Sequence, residues 1–248
     1  MDRHLRSLIA HTDHPIAAPL RDASVERLLR RARLPRRARL LDLGCGEAGW
    51  LLRALELYPE STADGVDVSG PALDRAARAA TARGVADRLS LHRTDATGFP
   101  VGERYHLVCC VGVAHVFGGL RSTVDAARRY LRSDGLILVG DGFWDRSPDA
   151  AALAGLGARA EDLRDLAGTV AELGATGCVP VYGHVSDADE WDEYEWSWSG
   201  TLASWALDNP TDPDASDALA AATTHLEGWL GGYRGVLGFV TVLLRCPT

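Results

Sequence analysis

Between residues 38 and 144, short apolar runs alternate with stretches of helical periodicity, and this order constrains the fold more than any other feature of the chain. The runs "ARLLDLG" (38–44), "ADGVDVS" (63–69), "DRLSLHRTDA" (87–96), "YHLVCCVGV" (105–113) and "GLILVGDGFW" (135–144) show no strict alternation of apolar and polar residues. Strands apolar on both faces must be covered on both faces, which is the condition of a parallel sheet between helical layers. The segments 49–59, 70–84 and 121–135 read as helices, with Pro71 in the first turn of the second and Gly135 closing the third. The expectation is an α/β fold with a Rossmann-like, doubly wound, mostly parallel sheet.

After residue 144 the pattern changes. A helix is expected over 160–175 and a strand over 178–185. An acidic aromatic stretch and another helix follow, and a long strand spans 235–245. Two late strands separated by a large insertion suggest an antiparallel last strand at the sheet edge, with 186–234 as a helical insertion. Ahead of the first strand, 22–34 reads as a helix capped by Asp22 or Ser24 and stopped by Pro35. The expected organisation is a helical segment 1–37 and one large domain 38–248.

Composition narrows the function classes. A chain of 248 residues with 46% hydrophobic and 24% charged residues builds a globular core. Its longest apolar runs are strand-sized, and "MDRHLRSLIAHTDHP" lacks the apolar core of a secretory signal, so a cytoplasmic chain without a membrane partner is expected. The net charge of −8 argues against a nucleic-acid partner. The local cluster Arg27, Arg30, Arg31, Arg33, Arg36, Arg37 and Arg39 reads as a solvated helix face and loop. Cys45, Cys109, Cys110, Cys178 and Cys246 are odd in number and lack metal-type spacing, so neither a disulfide framework nor a metal site is expected.

The stretch "LLDLGCGEAGW" (40–50) is the first candidate site. Gly44 and Gly46 remove Cβ atoms where a ligand must approach the chain, and the helix starting near Gly49 turns its unpaired N–H groups toward the same crevice. Asp67 ends the second strand, where a carboxylate accepts ribose hydroxyls. These features alone suit a nicotinamide dinucleotide as well as an adenosyl methyl donor. Asp42 favours the donor, because a carboxylate there repels a pyrophosphate and attracts an ammonium or sulfonium. Asp95, after the third strand, can accept from an adenine amino group, beside the N–H of Ala96.

In this order and spacing, "LLDLGCGEAG", "GVDVS", "TDATGFP", "HLVCCVGVAHVFGG" and "YLRSDGLILVGD" resemble the class I S-adenosylmethionine-dependent methyltransferases over about residues 38–144. The resemblance implies S-adenosyl-L-methionine as co-substrate. It implies that Asp42 holds the methionine amine, the backbone of Gly44, Cys45 and Gly46 lies on the methionine part, and Asp67 binds the ribose. Val68 would lie against the adenine, Asp95 and Ala96 at its edge, and Val111 and Gly112 on the methyl side. The alternatives are an NAD-dependent oxidoreductase and a noncatalytic adenosyl-binding module.

Methyl transfer is an in-line displacement that needs alignment and, for a protonated acceptor, a base. His115, just beyond the fourth strand, is the candidate base; otherwise it lines the pocket or caps the following turn. In such enzymes a segment before the first strand often folds over the donor, so 1–37 is expected to be a lid, with His11 and His14 as substrate contacts or surface residues. In "SDADEWDEYEWSWSGTLASW" (186–205), Trp191, Tyr194, Trp198, Leu202 and Trp205 recur at helical spacing among acids. That is either an aromatic stripe packed on the domain or an acceptor-side cover holding a small molecule, an amine for preference. Tyr194, Trp198, His14 and Trp144 are the candidate substrate residues, with Phe143 a possible second wall. The oligomeric state has no signature in the sequence.

Overall fold

The structure is a computed structural model that describes residues 1–102 and 104–247. In chain order its elements are α1 (Arg3–Ala10), α2 (Asp22–Arg31), β1 (Arg39–Leu43), α3 (Gly49–Leu57), β2 (Thr62–Asp67), α4 (Gly70–Ala82) and β3 (Leu89–Arg93). There follow β4 (Tyr105–Val111), α5 (Ala114–Phe117), α6 (Leu120–Arg128), β5 (Leu131–Trp144), α7 (Ala150–Leu156) and α8 (Leu166–Gly174). The chain ends with β6 (Val179–Val185), α9 (Ala188–Asp208), α10 (Ala215–Gly228) and β7 (Leu237–Arg245). The seven strands form one sheet in the order β3-β2-β1-β4-β5-β7-β6. β3, β2, β1, β4 and β5 pair in parallel, and β6 pairs antiparallel with β7. The expected α/β sheet with an antiparallel late strand is the one observed.

The chain divides into two compact units. The sheet unit comprises residues 21–141, 167–185 and 240–248. Leu40, Leu41, Leu43, Leu107, Val108, Ile137 and Leu138 are buried in its strands, as expected for strands covered on both faces. The helical unit comprises residues 1–20, 142–166 and 186–239. There Ile9 and Ala10 of α1 pack with Leu202 and Ala206 of α9 and Ala218 and Ala222 of α10. The Met1 amine is paired with Asp214 at 2.9 Å and Asp217 at 2.7 Å.

Several local expectations change. The segment 1–37 is not one piece: residues 1–20 are built into the helical unit, whereas α2 packs on α3 in the sheet unit. Neither Asp22 nor Ser24 caps α2; its N-cap is Arg21, whose side chain makes no capping hydrogen bond, and Asp22 instead pairs with Arg53. The helix expected to run to Gly135 stops at Arg128, because β5 begins at Leu131. Tyr105 faces Leu131 and Leu107 faces Leu136, so the four residues 132–135 stand against the single residue His106 and bulge out of the ladder. Gly135 is required there, since a Cβ would stand 2.8 Å from the Tyr105 carbonyl oxygen.

No disulfide framework was expected, yet one bond is present: Cys178 and Cys246 are joined. Val179 faces Arg245 across the β6–β7 ladder, which sets the next residues outward, 178 and 246, opposite each other. The pairing follows from strand register and not from sequence spacing. Cys45, Cys109 and Cys110 are buried free thiols.

Candidate functional site: the glycine loop and a histidine cluster

In the sheet unit, β1 delivers Asp42 and then turns sharply. The N–H groups of Gly44 and Cys45 both donate to the Val66 carbonyl, at 2.8 and 3.0 Å, which ties the loop to the end of β2. Gly44 has φ +86°, and a Cβ on it would stand 2.4 Å from Cγ1 of Val113. That position takes glycine for both conformation and space. Ala48 enters α3 with φ +58°, completing the tight turn.

The Asp67 carboxylate joins the two loops. It accepts the N–H of Gly46 at 2.8 Å with one oxygen and the N–H of Ser69 at 2.8 Å with the other. Ser69 in turn caps α4 by accepting from the Ala72 N–H. Asp42 is 3% exposed and has no hydrogen-bond partner among the described residues. Burial, and secondarily the charge of Asp67, push its carboxyl up to about 8. A carboxyl buried without a counter-charge is unfavourable in its ionised form, and an ammonium placed beside it removes that penalty.

Cys45 is buried, and burial followed by the nearby Asp42 and Asp67 charges raises its thiol far above the ordinary range. It is a packing residue, closing on Gly65, where a Cβ would lie 2.9 Å from its sulfur. Beyond β2, Val68 is 55% exposed, as an apolar platform for a planar ring would be. Asp95 accepts from the N–H and hydroxyl of Thr97 at 2.8 and 2.7 Å, which hold its carboxyl below the usual range. Ala96 is buried; Val111, which ends β4, and Gly112, which follows it, are partly exposed, and the N–H of Gly112 donates to the Gly140 carbonyl. His115 is exposed on the four-residue helix α5, and no hydrogen bond among the described residues orients its ring.

The helical unit holds a second group of chemistry-bearing residues. His11 and His14 converge on Tyr194. The Tyr194 hydroxyl donates to Nε2 of His11 at 3.1 Å, while Nδ1 of His11 donates to the Ser7 carbonyl at 2.8 Å. His14 meets the Tyr194 ring edge-on at 5.3 Å between centroids and donates from Nδ1 to the Ile16 carbonyl at 2.7 Å. Burial lowers the pKa of His11, helped by the nearby His14 and His225. Asp13 does not join the two histidines; it accepts the Thr201 hydroxyl.

Next to Tyr194 in α9, Glu195 is 2% exposed and accepts from Nε2 of His225 at 2.5 Å and from the Tyr233 hydroxyl at 3.0 Å. Trp198 stacks on the His225 ring at 3.9 Å. The sequence reading missed Glu195 as a partner of His225 and missed Tyr233. The only signals were a histidine late in α10 and an acid inside the aromatic stripe, which are unspecific. Of the other expected substrate residues, Trp144 is buried and donates from its indole nitrogen to the Ala160 carbonyl at 3.0 Å, and Phe143 is buried beside it.

Comparison with known proteins agrees with this geometry. Residues 40–135 match a family described as Methyltransferase domain. An S-adenosylmethionine-dependent methyltransferase from Geobacter sulfurreducens, solved with S-adenosyl-L-homocysteine, is 28% identical and superposes with a TM-score of 0.91 over 100% of this chain and 99% of its own. A second, from Thiobacillus denitrificans and also solved with S-adenosyl-L-homocysteine, is 28% identical with a TM-score of 0.90 over 99% of both chains. The uncharacterized protein YjhP of Escherichia coli is 28% identical over 215 residues, 86% of each chain. The chain is a class I S-adenosylmethionine-dependent methyltransferase, an enzyme with S-adenosyl-L-methionine as methyl donor. No helix among the described residues is long and apolar enough to cross a membrane.

Proposed function

We propose that the sheet unit holds S-adenosyl-L-methionine through Asp42, the Gly44–Cys45–Gly46 backbone, Asp67, Val68, Asp95, Ala96, Val111 and Gly112, and that the enzyme methylates a small molecule. The observation that carries the donor assignment is Asp42, a carboxylate buried at the glycine loop with no partner among the described residues. The site fits the donor, because a cationic amine satisfies that carboxylate whereas a dinucleotide pyrophosphate does not. When bound, the donor supplies an activated methyl group. Asp42 orients its amine, Asp67 its ribose, and the Gly44 turn lets the backbone approach.

Support for a small acceptor comes from net charge and from the aromatic groups of the helical unit. Four of the carboxylates among these aromatics have partners within the protein. Asp187 and Glu190 form the capping box of α9, Asp192 pairs with Arg234 at 2.7 Å, and Glu195 is held by His225 and Tyr233. These carboxylates are occupied by structural partners.

The test is the thermal midpoint with S-adenosyl-L-homocysteine and, separately, with NAD. Ligand at about 100 times its dissociation constant adds roughly 2.7 kcal/mol, a rise of about 5–10 °C for a chain this long. A rise with NAD alone overturns the donor assignment. Methyl transfer to small molecules is compared with transfer to duplex DNA and bulk RNA, and transfer confined to nucleic acid overturns the small-molecule reading.

A further inference from the structure

The helical unit carries a groove of about 500 Å³ along α9, bounded on one side by the end of α1 and the residues after it. That volume lies within the roughly 300–1,000 Å³ of small-molecule sites. Every residue lining it belongs to the helical unit. Its floor is low because Gly200 has no side chain and Ser204 a short one; a Cβ on Gly200 would meet nothing within 4 Å. Trp196 and Trp205 flank this floor. Their spacing turns α9 through about two and a half turns, which sets the two indoles on opposite edges of one exposed strip. Trp205 is half-buried, whereas Trp196 is 53% exposed and touches Trp229 only in a T-shaped contact at 5.6 Å. Much of the Trp196 ring is thus left to a ligand.

The polar groups of the groove are of one kind. Asp13 accepts the Thr201 hydroxyl at 2.7 Å with one oxygen, and its other oxygen has no donor among the described residues. Asp208 ends α9 and has neither an ion pair nor a hydrogen bond among the described residues, unlike Asp187, Glu190, Asp192 and Glu195 of the same segment. The last turn of α9 contains no basic residue. A carboxylate at a helix C-terminus lies against the negative end of the helix dipole, where a cation is favoured instead. Asn209 donates from its backbone and side-chain nitrogens to the Trp205 carbonyl, at 3.0 and 2.8 Å, which leaves its amide oxygen as a further acceptor. No arginine or histidine lines the groove. Acceptors, two carboxylates and two indoles together suit a positively charged organic group and repel an anion.

We propose that this groove is a binding site for a small organic ammonium ion, with Trp196 and Trp205 against its alkyl or aryl body and Asp208 and Asp13 facing its charge. The site needs only the helical unit, so binding is read without donor or turnover.

The experiment is titration calorimetry of the full chain with phenyltrimethylammonium and choline as probes, 3,3-dimethyl-1-butanol as the neutral counterpart of choline, and benzoate as an anion. The two cations should bind, and the neutral and anionic compounds should bind at least about tenfold more weakly. Trp196→Leu should weaken phenyltrimethylammonium about 3- to 30-fold. Asp208→Asn should weaken both cations about 2- to 5-fold. Raising the salt from about 0.05 to 0.5 M should weaken binding to wild type more than to Asp208→Asn. Both variants should keep the affinity for S-adenosyl-L-homocysteine within about twofold, so a loss of donor binding tests the donor assignment and not the groove. If Trp196→Leu melts early, Asp208→Asn and the neutral counterpart carry the test.

Three results would overturn the site: no heat with either cation from a folded chain, equal affinity for choline and its neutral counterpart, or cation binding unchanged in folded Trp196→Leu and Asp208→Asn.

Discussion

The backbone N–H of Gly46 donates to the Asp67 carboxylate at 2.8 Å, so the loop after β1 and the end of β2 are one unit before any donor arrives. The other oxygen of the same carboxylate holds the Ser69 N–H at 2.8 Å. Asp67→Ala leaves both N–H groups without that acceptor and removes the proposed ribose contact. Affinity for S-adenosyl-L-homocysteine, measured by calorimetry, should fall roughly 10- to 100-fold, on the order of 1.4–2.8 kcal/mol. Asp67→Asn retains one acceptor oxygen and should lose less. A purely structural Asp67 would lower the melting temperature and leave affinity unchanged.

On the proposed donor assignment, Asp42 links donor binding to protons. Its carboxyl is pushed up to about 8 by burial, so at neutral pH the ligand-free enzyme carries a proton there. An ammonium beside it favours the ionised form, and the proton is released. Binding heats at pH 7 in two buffers of different ionisation enthalpy should therefore differ in wild type and agree in Asp42→Asn. Equal heats in wild type would contradict the assignment. For stability the sign is the reverse of an ion-paired acid. Between the unfolded value near 4 and the folded value of about 8, the native state binds the extra proton. Stability of the ligand-free enzyme thus has a contribution that falls as pH rises through that window.

Gly44 combines φ +86° with a Val113 methyl 2.4 Å from where a Cβ would be. Gly44→Ala should cost about 1–3 kcal/mol of stability and weaken donor binding. Adding Val113→Ala relieves the collision but not the backbone strain, so the double variant should recover only part of the loss in a melting experiment. Full recovery would show that space alone selects glycine.

The Cys178–Cys246 bridge joins residues 68 apart in the chain. Removing it through Cys178→Ser, or by reduction, should cost about 2–4 kcal/mol, a fall of roughly 4–16 °C in melting temperature. Donor affinity should hold, because the bridge lies at the β6–β7 end of the sheet order while the donor loop leaves β1. Equal melting temperatures with and without reductant would remove the stabilising role.

The sequence by itself determined the sheet and the glycine turn after β1. The parallel strands are legible because strands covered on both faces are apolar throughout, and that pattern is local. Gly44, Gly46, Asp42 and Asp67 are legible for a related reason: each sits within a few residues of a strand end, where the parallel topology delivers strand ends to one side. The tertiary structure alone decided the rest. Glu195 and His225 lie 30 residues apart on different helices, and only the packing of α9 on α10 brings them to 2.5 Å. Cys178 meets Cys246 because antiparallel register sets them opposite, and the bulge at 132–135 ends α6 early because β5 pairs with Tyr105. Tyr194 was legible as part of a stripe, but its hydrogen bond to His11, 183 residues away, was not. Helical periodicity tells which residues share a face; which side chains that face meets depends on the neighbouring element, and no local pattern encodes it.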